Sequence, residues 1–403
     1  GEEALLKIDK EILESLYLIE EERNILVSYQ TITNTLTIGP VIAVLTEIAD
    51  KEPIDLKSLS QFCIELAKYS DEVGAIFYVF TLPQSLPSNC LEGYILDNNL
   101  WKKQTLPFPH IIHNRLHKRK NEKSNVFQQF TEQLKGWEVP YFNDSFLDKW
   151  TVHYHLKEAD HLKPYLPETE LFNEDIIIQW LEQEDTIFIK PINGSQGKHI
   201  LKIEKEDDKY VLSHSSFQQQ KNHHFQTIQE VINKLKPYVK RRDYLIQKGI
   251  PLFQVEDNPV DFRYLCHRTE NDRWKITSSV SRISRQGQFV SNIAQGGQLA
   301  SVQHALRSTF DKEEMKHLQK HMRALALDVA YEVANINDGI YAELGIDLAI
   351  DVDGNPWIIE VNTKPSKNED GETNTTRIRP SAKAIILYCL YLVYHTTKEV
   401  KST

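Results

Sequence analysis

Apolar and polar positions alternate over residues 25–38 (ILVSYQTITNTLTI), the period of half-buried strands, with Asn34 as a turn between them. Gly39-Pro40 then opens the short apolar strand VIAVLTEI, a helical pattern covers 55–71, and a second apolar strand runs from Gly74 to Leu82. Strand and helix in alternation predict a small α/β unit over residues 1–135. The region 136–248 mixes helices, one of them over 222–238, with the strand Thr186–Lys190. Strand patterns at 244–250, 260–268 and 274–283, and a hairpin over 344–361, are separated by a helix over 311–335, so residues 249–403 read as α+β. The apolar run Ala384 to Tyr394 is too short to span a bilayer and predicts a buried C-terminal helix. Ser366 to Thr376 has no apolar side chain to bury and predicts a mobile loop.

The hairpin carries the most chemistry. Two apolar patterns, 344–352 and 356–361, flank the turn Asp353-Gly354-Asn355, and their ends bring Asp347, Glu360 and Asn362 together. Each acid interrupts an apolar run, where an unpartnered carboxylate would carry a desolvation penalty or an elevated pKa. Hard oxygen donors at one edge suit Mg²⁺, which takes one or two carboxylates and completes its shell with water and phosphate. The implied partner is a nucleoside triphosphate. The alternative is a pair of ordinary polar positions at strand ends.

At 403 residues the chain has room for two or three domains of about 150 residues each. Its net charge of −10 disfavours nucleic-acid and anionic-membrane partners, which basic surfaces bind. Lys118-Arg119-Lys120 and Lys240-Arg241-Arg242 are local exceptions that read as solvated faces. Cys63, Cys90, Cys266 and Cys389 lack CxxC spacing, which argues against a zinc site or a disulfide framework and predicts a reducing, cytoplasmic setting. No secretory leader pattern opens the chain. His113 and His117 are spaced i, i+4, and His153 and His155 alternate, but neither pair has a third ligand nearby, so all four read as surface histidines.

Lys190 ends a strand and leads into Pro191-Ile192-Asn193-Gly194-Ser195-Gln196-Gly197-Lys198, followed by a strand from His199 to Glu204. Glycines between strands make a flap whose N–H groups can approach phosphate, with Lys190 as a charge beneath it. Asn-Gly is equally an ordinary hairpin turn. Tyr244 to Ile250 is an apolar strand breaking into a loop, an edge suited to adenine. Asp261 and Arg263 share one face of a strand, and Arg282 lies in a strand that could pair with it. Two arginines on one sheet suit a planar oxyanion, whereas a salt bridge between Asp261 and Arg263 is the plainer alternative.

The ordered set DKW (148–150), FIKPINGSQGKHI, YLIQKGI, DFR, SRIS, SNIAQGG and GIDLAID to IIEVNTKP resembles the ATP-grasp enzymes, specifically the YheC/YheD group linked to the endospore coat. LTIGPVIAVLT and HNRLHKR extend the resemblance over nearly the whole chain. It implies an ATP-grasp fold behind an N-terminal pre-ATP-grasp domain, divided 1–135, 136–248 (lid with flap) and 249–403 (metal site). Lys149 and Lys190 would hold the α/β-phosphates, and Gly194, Ser195, Gln196 and Gly197 would cover the β/γ-phosphates. Gln247, Lys248 and Ile250 would present backbone to adenine. Asp347, Glu360 and Asn362 would bind Mg²⁺, and Arg263 and Arg282 would face the transferred phosphoryl group. The loop Ser291 to Gly297 is similar to one beside the acceptor site of peptide-forming ATP-grasp ligases. The chain departs from the pattern at Gln247-Lys248, where an acidic residue is common, and leaves only Gln254 and Glu256 as ribose candidates.

The chemistry so implied uses ATP and Mg²⁺ to phosphorylate a small-molecule or peptide carboxylate, which an amine then attacks with release of ADP and phosphate. No Gly-x-Ser-x-Gly or activated-cysteine motif competes with it. A non-catalytic nucleotide-binding structural protein of the spore coat, associated with other coat proteins, is the alternative.

Overall fold

The structure, a computed structural model, describes residues 5–31, 34–49, 53–84, 89–194, 197–207, 209–215, 221–286, 288–289, 297–367 and 377–399. Strands β1 (Val27–Gln30) and β2 (Thr35–Ile38) pair about Asn34, which is left-handed, but they are not half-buried as their alternation predicts, since β1 is exposed throughout and β2 at Thr35 and Leu36. Next comes a sheet built from β3 (Val41–Leu45), β4 (Ile76–Phe80), β5 (Cys90–Asp97), β6 (Leu100–Pro107), β7 (Ile111–Asn114) and β8 (Tyr141–Phe142), in the order β6-β5-β4-β3-β7-β8. Its β4-β3-β7-β8 part is parallel, and β3 and β4 are buried along their whole length, as strands covered on both faces must be. The hairpin β5–β6 was not foreseen, although its turn, Asn98-Asn99 with both φ positive, is a legible hairpin signal.

The second sheet, β13-β12-β11-β10-β14-β9, comprises β9 (Thr169–Leu171), β10 (Thr186–Pro191), β11 (Leu201–Glu206), β12 (Lys209–His214), β13 (Lys221–Phe225) and β14 (Tyr244–Lys248). The third runs β18-β17-β16-β19-β20, from β15 (Gln254–Val255, paired to β16), β16 (Asn258–Arg268), β17 (Trp274–Ile283), β18 (Gln298–Ala300), β19 (Glu343–Ile350) and β20 (Pro356–Asn362). Ten α-helices are described: α1 (Lys10–Ser15), α2 (Ser60–Glu72), α3 (Arg119–Glu122), α4 (Asn125–Gly136), α5 (Lys149–Glu158), α6 (Glu174–Gln183), α7 (Ile228–Val239), α8 (Val302–Leu306), α9 (Lys312–Val333) and α10 (Pro380–Glu399).

Each sheet buries its own apolar layer. Helices α2 and α10 cover one face of the first sheet and α4 the other. Helices α6 and α7 cover one face of the second. Helices α5 and α9 pack with β16 and β19 in the third core. The apolar run near the C-terminus is thus a buried helix, as read, but it packs against α2 of the N-terminal unit as well as β16 and β17. The helix predicted over 311–335 is α9, started by the capping box of Asp311 and Glu314.

Three local expectations fail. The helix predicted from 222 begins at Ile228, where Thr227 and Glu230 form a capping box, because 221–225 pairs instead with β12. The strand predicted from His199 begins at Leu201, since His199 has φ +61 and cannot lie in a strand. Ser366 and Lys367, expected in a mobile loop, are placed, with Lys367 buried against Glu343; residues 368–376 lie outside the described residues.

Candidate active site

Alternation along β10 sends Ile187 and Ile189 into the core under α6 and α7, and turns Phe188 and Lys190 to the opposite face. That face, together with α5 and β20, walls a cleft of about 50 Å³ lined by Lys149, His153, Thr169, Lys190, Gln247 and Glu360 among others. Lys190 Nζ donates to Gln247 Oε1 at 2.5 Å, and Gln247 Nε2 donates to Thr169 Oγ1 at 2.9 Å. Across the cleft, Lys149 Nζ donates to Glu360 Oε1 at 2.5 Å. Burial lowers the Lys190 ammonium, with Lys149 adding to the effect and Glu360 opposing it, to about 8. Affinity for a nucleotide phosphate should therefore fall between pH 7 and pH 9, and Lys190→Met should flatten that dependence in a titration with a non-hydrolysable ATP analogue. The stability contribution runs the other way. The folded state holds fewer protons than the unfolded one between about 8 and the ordinary 10.5, so stability from this group rises with pH there.

The predicted hairpin is β19–β20. Register explains how its oxygens meet: Asp347 stands opposite Glu360, Gly345 opposite Asn362, and a bulge follows Asp347. Asp351 ties the turn by accepting from the backbone N–H groups of Asp353 and Asn355 and from Trp357 Nε1. Asn362 Nδ2 reaches Asp347 Oδ2 at 3.4 Å.

Asp347 is also the register partner of Arg263, which donates through Nε and Nη2 to its two oxygens, the second at 2.9 Å. Gly345 suits this crowded place, because an added Cβ would stand 2.8 Å from Pro365 Cβ and 3.4 Å from two atoms of the Arg263 side chain. Arg282 Nε donates to Asp261 Oδ1, its own register partner, at 2.5 Å, and Nη2 lies 2.9 Å from Asp347 Oδ2. The alternative of an Asp261–Arg263 salt bridge is replaced by cross-strand pairs, since directly opposed residues lie closer than i, i+2 neighbours. Burial opposes ionisation of Asp347, but Arg263 and Arg282 outweigh it and hold the carboxyl below its usual range.

Two carboxylates and an amide are oxygen donors of the type Mg²⁺ takes alongside water and phosphate. Among the described residues no group of three or more His, Cys, Asp or Glu side chains is arranged to hold a metal, and here the Asp347 oxygens accept from Arg263 and Arg282 while Glu360 accepts from Lys149.

Other candidates fall elsewhere. Strand β14 is not an open edge: β10 flanks it on one side and β9 on the other, and the N–H groups of Lys248 and Gly249 donate to Glu168 and Thr186. Lys248 pairs with Glu168 and Glu184 and stacks over Trp180, so it leaves the cleft, and Ile250 does not line it. Gly194 lies above Pro191, with 2.7 Å to Pro191 Cγ for any added Cβ, and Gly197 has φ +63 and accepts a hydrogen bond from Ser215. Ser195, Gln196 and the acceptor-loop residues 291–296 lie outside the described residues. Gln254 is exposed on β15 and Glu256 sits in its turn.

Of the four histidines read as surface residues, His117 is exposed and His155 partly so, but the other two depart from that reading. His113 is fully buried in β7, stacked on Phe142 at 4.5 Å, and burial keeps it neutral. His153 lines the cleft, with burial and Lys157 lowering it to about 4. Arg119 is no solvated charge, since it donates to the carbonyls of Phe146 and Leu147. Sequence reasoning gave His153 no role in the cleft and missed Thr169, Asn143, Arg115 and Glu343. Of these only Glu343 had a signal, a carboxylate at the head of an apolar strand.

Similar proteins share this architecture. The chain is 25% identical over 342 residues to the endospore coat-associated protein YheD of Bacillus subtilis, covering 83% of this chain and 74% of that one. It is 24% identical over 338 residues to YheC of the same organism, covering 82% and 90%. Among solved structures, the D-alanine-D-alanine ligase of Coxiella burnetii superposes with a TM-score of 0.53 at 10% identity, covering 90% of this chain and 97% of that one. The VanG D-Ala:D-Ser ligase of Enterococcus faecalis gives 0.51 at 13% identity, covering 88% and 99%. A profile of the YheC/D-like ATP-grasp family matches residues 138–392, and the chain belongs to that family.

Proposed function

We propose that the protein is an ATP-dependent, ADP-forming ligase joining a carboxylate to an amine. The observation that carries this reading is the cleft in which Lys190 and Lys149 oppose Glu360, one strand register from the Asp347–Arg263–Arg282 cluster. The superposition on two amino-acid ligases supports it. Lys149 and Lys190 would neutralise phosphate, with the flap around Gly194 and Gly197 above, and Gln247 keeps Lys190 oriented. Asp347, Glu360 and Asn362 would hold Mg²⁺, which supplies charge neutralisation at the phosphates. An oxygen of the substrate carboxylate attacks the γ-phosphorus and the bond to ADP breaks. The amine nitrogen then attacks the acyl carbon, loses a proton and expels phosphate. Arg263 and Arg282 would face the transferring group, where fixed guanidinium charges act without reorganisation.

A second reading, a nucleotide-binding coat protein without catalysis, is favoured by the names of the two Bacillus relatives, and it carries association with other spore-coat proteins. Either reading suits a protein working in the cytoplasm or the forming spore. Among the described residues no helix is long and apolar enough to cross a membrane. Incubation with ATP, Mg²⁺ and hydroxylamine across a pool of carboxylates separates the readings. Hydroxamate with ADP supports the ligase, whereas tight ATP binding with neither product supports the coat protein.

A further inference from the structure

The β19–β20 ladder ends at the pair Gly345–Asn362, so the third proposed metal donor is also the last paired residue of its strand. Strand β20 is the edge of its sheet. Beyond that pair, Glu343 on one side and Thr363 to Pro365 on the other make no further ladder bonds, and the Lys367–Glu343 ion pair joins the two chains only farther along. Two buried side chains at strand ends of the first sheet bridge them closer in. Asn143, directly after β8, accepts from the N–H groups of Ala342 and Glu343 at 3.1 and 3.2 Å, and donates to the carbonyls of Glu343, at 3.0 Å, and Thr363. One amide thus bridges both chains where a further ladder pair would stand. Arg115, following β7, repeats the arrangement one step outward: Nη1 donates to Glu343 Oε2 at 2.7 Å and Nη2 to the Pro365 carbonyl at 2.9 Å. Thr363 Oγ1 donates to the Ser145 carbonyl at 3.1 Å. Asn143 is held by its own N–H, which donates to Ile340, and by a φ of +55 that asparagine tolerates well. Asn143 and Arg115 are 0% and 1% exposed, so these bonds do not exchange with water.

We infer that Asn143 and Arg115 are positioning residues that set the spacing of the metal-binding oxygens, so that metal affinity depends on the first sheet, whose strands β7 and β8 lead into them. The inference rests on the proposed function of the hairpin. Glu343 shares a face of β19 with Gly345 and Asp347, and Thr363 adjoins Asn362, so opening the clamp moves Asp347 and Asn362 apart. Mg²⁺ demands near-ideal geometry at short bond lengths and tolerates such displacement poorly. The phosphate-facing lysines, on α5 and β10, are outside the clamp.

The test compares Arg115→Lys, which keeps a charge for Glu343 but cannot fork to Pro365, and Asn143→Ser, which cannot span both chains. The control is Phe130→Leu, a core change under α4 on the face of the N-terminal sheet away from the hairpin. Mn²⁺ binding is measured by EPR with a saturating non-hydrolysable ATP analogue, and analogue binding is measured separately without metal. Arg115→Lys and Asn143→Ser should each weaken Mn²⁺ binding at least tenfold while metal-free analogue binding stays within about twofold. Phe130→Leu should lower the melting temperature and leave Mn²⁺ affinity as in the wild type. Wild-type Mn²⁺ affinity in folded Arg115→Lys or Asn143→Ser overturns the inference, and so does an equal loss in Phe130→Leu. If one clamp variant does not fold, the other decides. A wild-type protein that binds no Mn²⁺ with the analogue sinks the ligase site itself, a separate result.

Discussion

Asp347→Asn should abolish ATP turnover and cost about 3–5 kcal/mol of stability, the range for removing one partner of a buried ion pair. The carboxylate sits 3% exposed between two guanidinium groups, and an amide in its place leaves Arg263 without the charge it pairs with across the β16–β19 register. The acid limb of the stability curve should change as well. Because the folded Asp347 carboxyl lies below its usual range, its contribution is present above the unfolded value near 3.9 and lost as pH falls through the folded one. The variant should lack that loss. Urea denaturation at several pH values and ADP release report the two effects, and turnover within tenfold of the wild type would remove Asp347 from the metal set.

Arg282→Ala should leave nucleotide affinity within a few-fold and reduce turnover by about 10²–10³, equivalent to ~2.7–4 kcal/mol in the barrier. Its guanidinium reaches Asp347 and Asp261 but does not line the cleft that holds Lys149 and Lys190, so the loss falls on the chemical step more than on binding. The stability cost should be smaller than for Asp347→Asn, because Arg263 still neutralises Asp347. Unchanged ADP release alongside unchanged analogue binding would reject Arg282 as a charge stabiliser.

Much of the candidate site was legible because its signals are local. The hairpin announced itself through two apolar runs, an Asp-Gly-Asn turn and acids at positions that should be buried, and the structure pairs Asp347 with Glu360 directly. The strand ending in Lys190 read correctly for the same reason. His113, read as a surface histidine, is buried because its strand β7 is covered on both faces, which no local pattern announces. The Tyr244–Ile250 edge failed because β9, only three residues long and with little apolar content, closes it.

Alternation and turn chemistry within the chain determined which residues are strands, which faces are apolar and where acids and lysines interrupt them. The partners of those charges were decided by tertiary structure alone. Arg263 meets Asp347 across 84 residues, and Arg115 meets Glu343 across 228. Neither pairing has a period or a motif. The physical reason is that a buried charge must be neutralised by whatever the fold brings within a few ångströms, and strand register and sheet order, set by the packing of whole apolar faces, choose that neighbour.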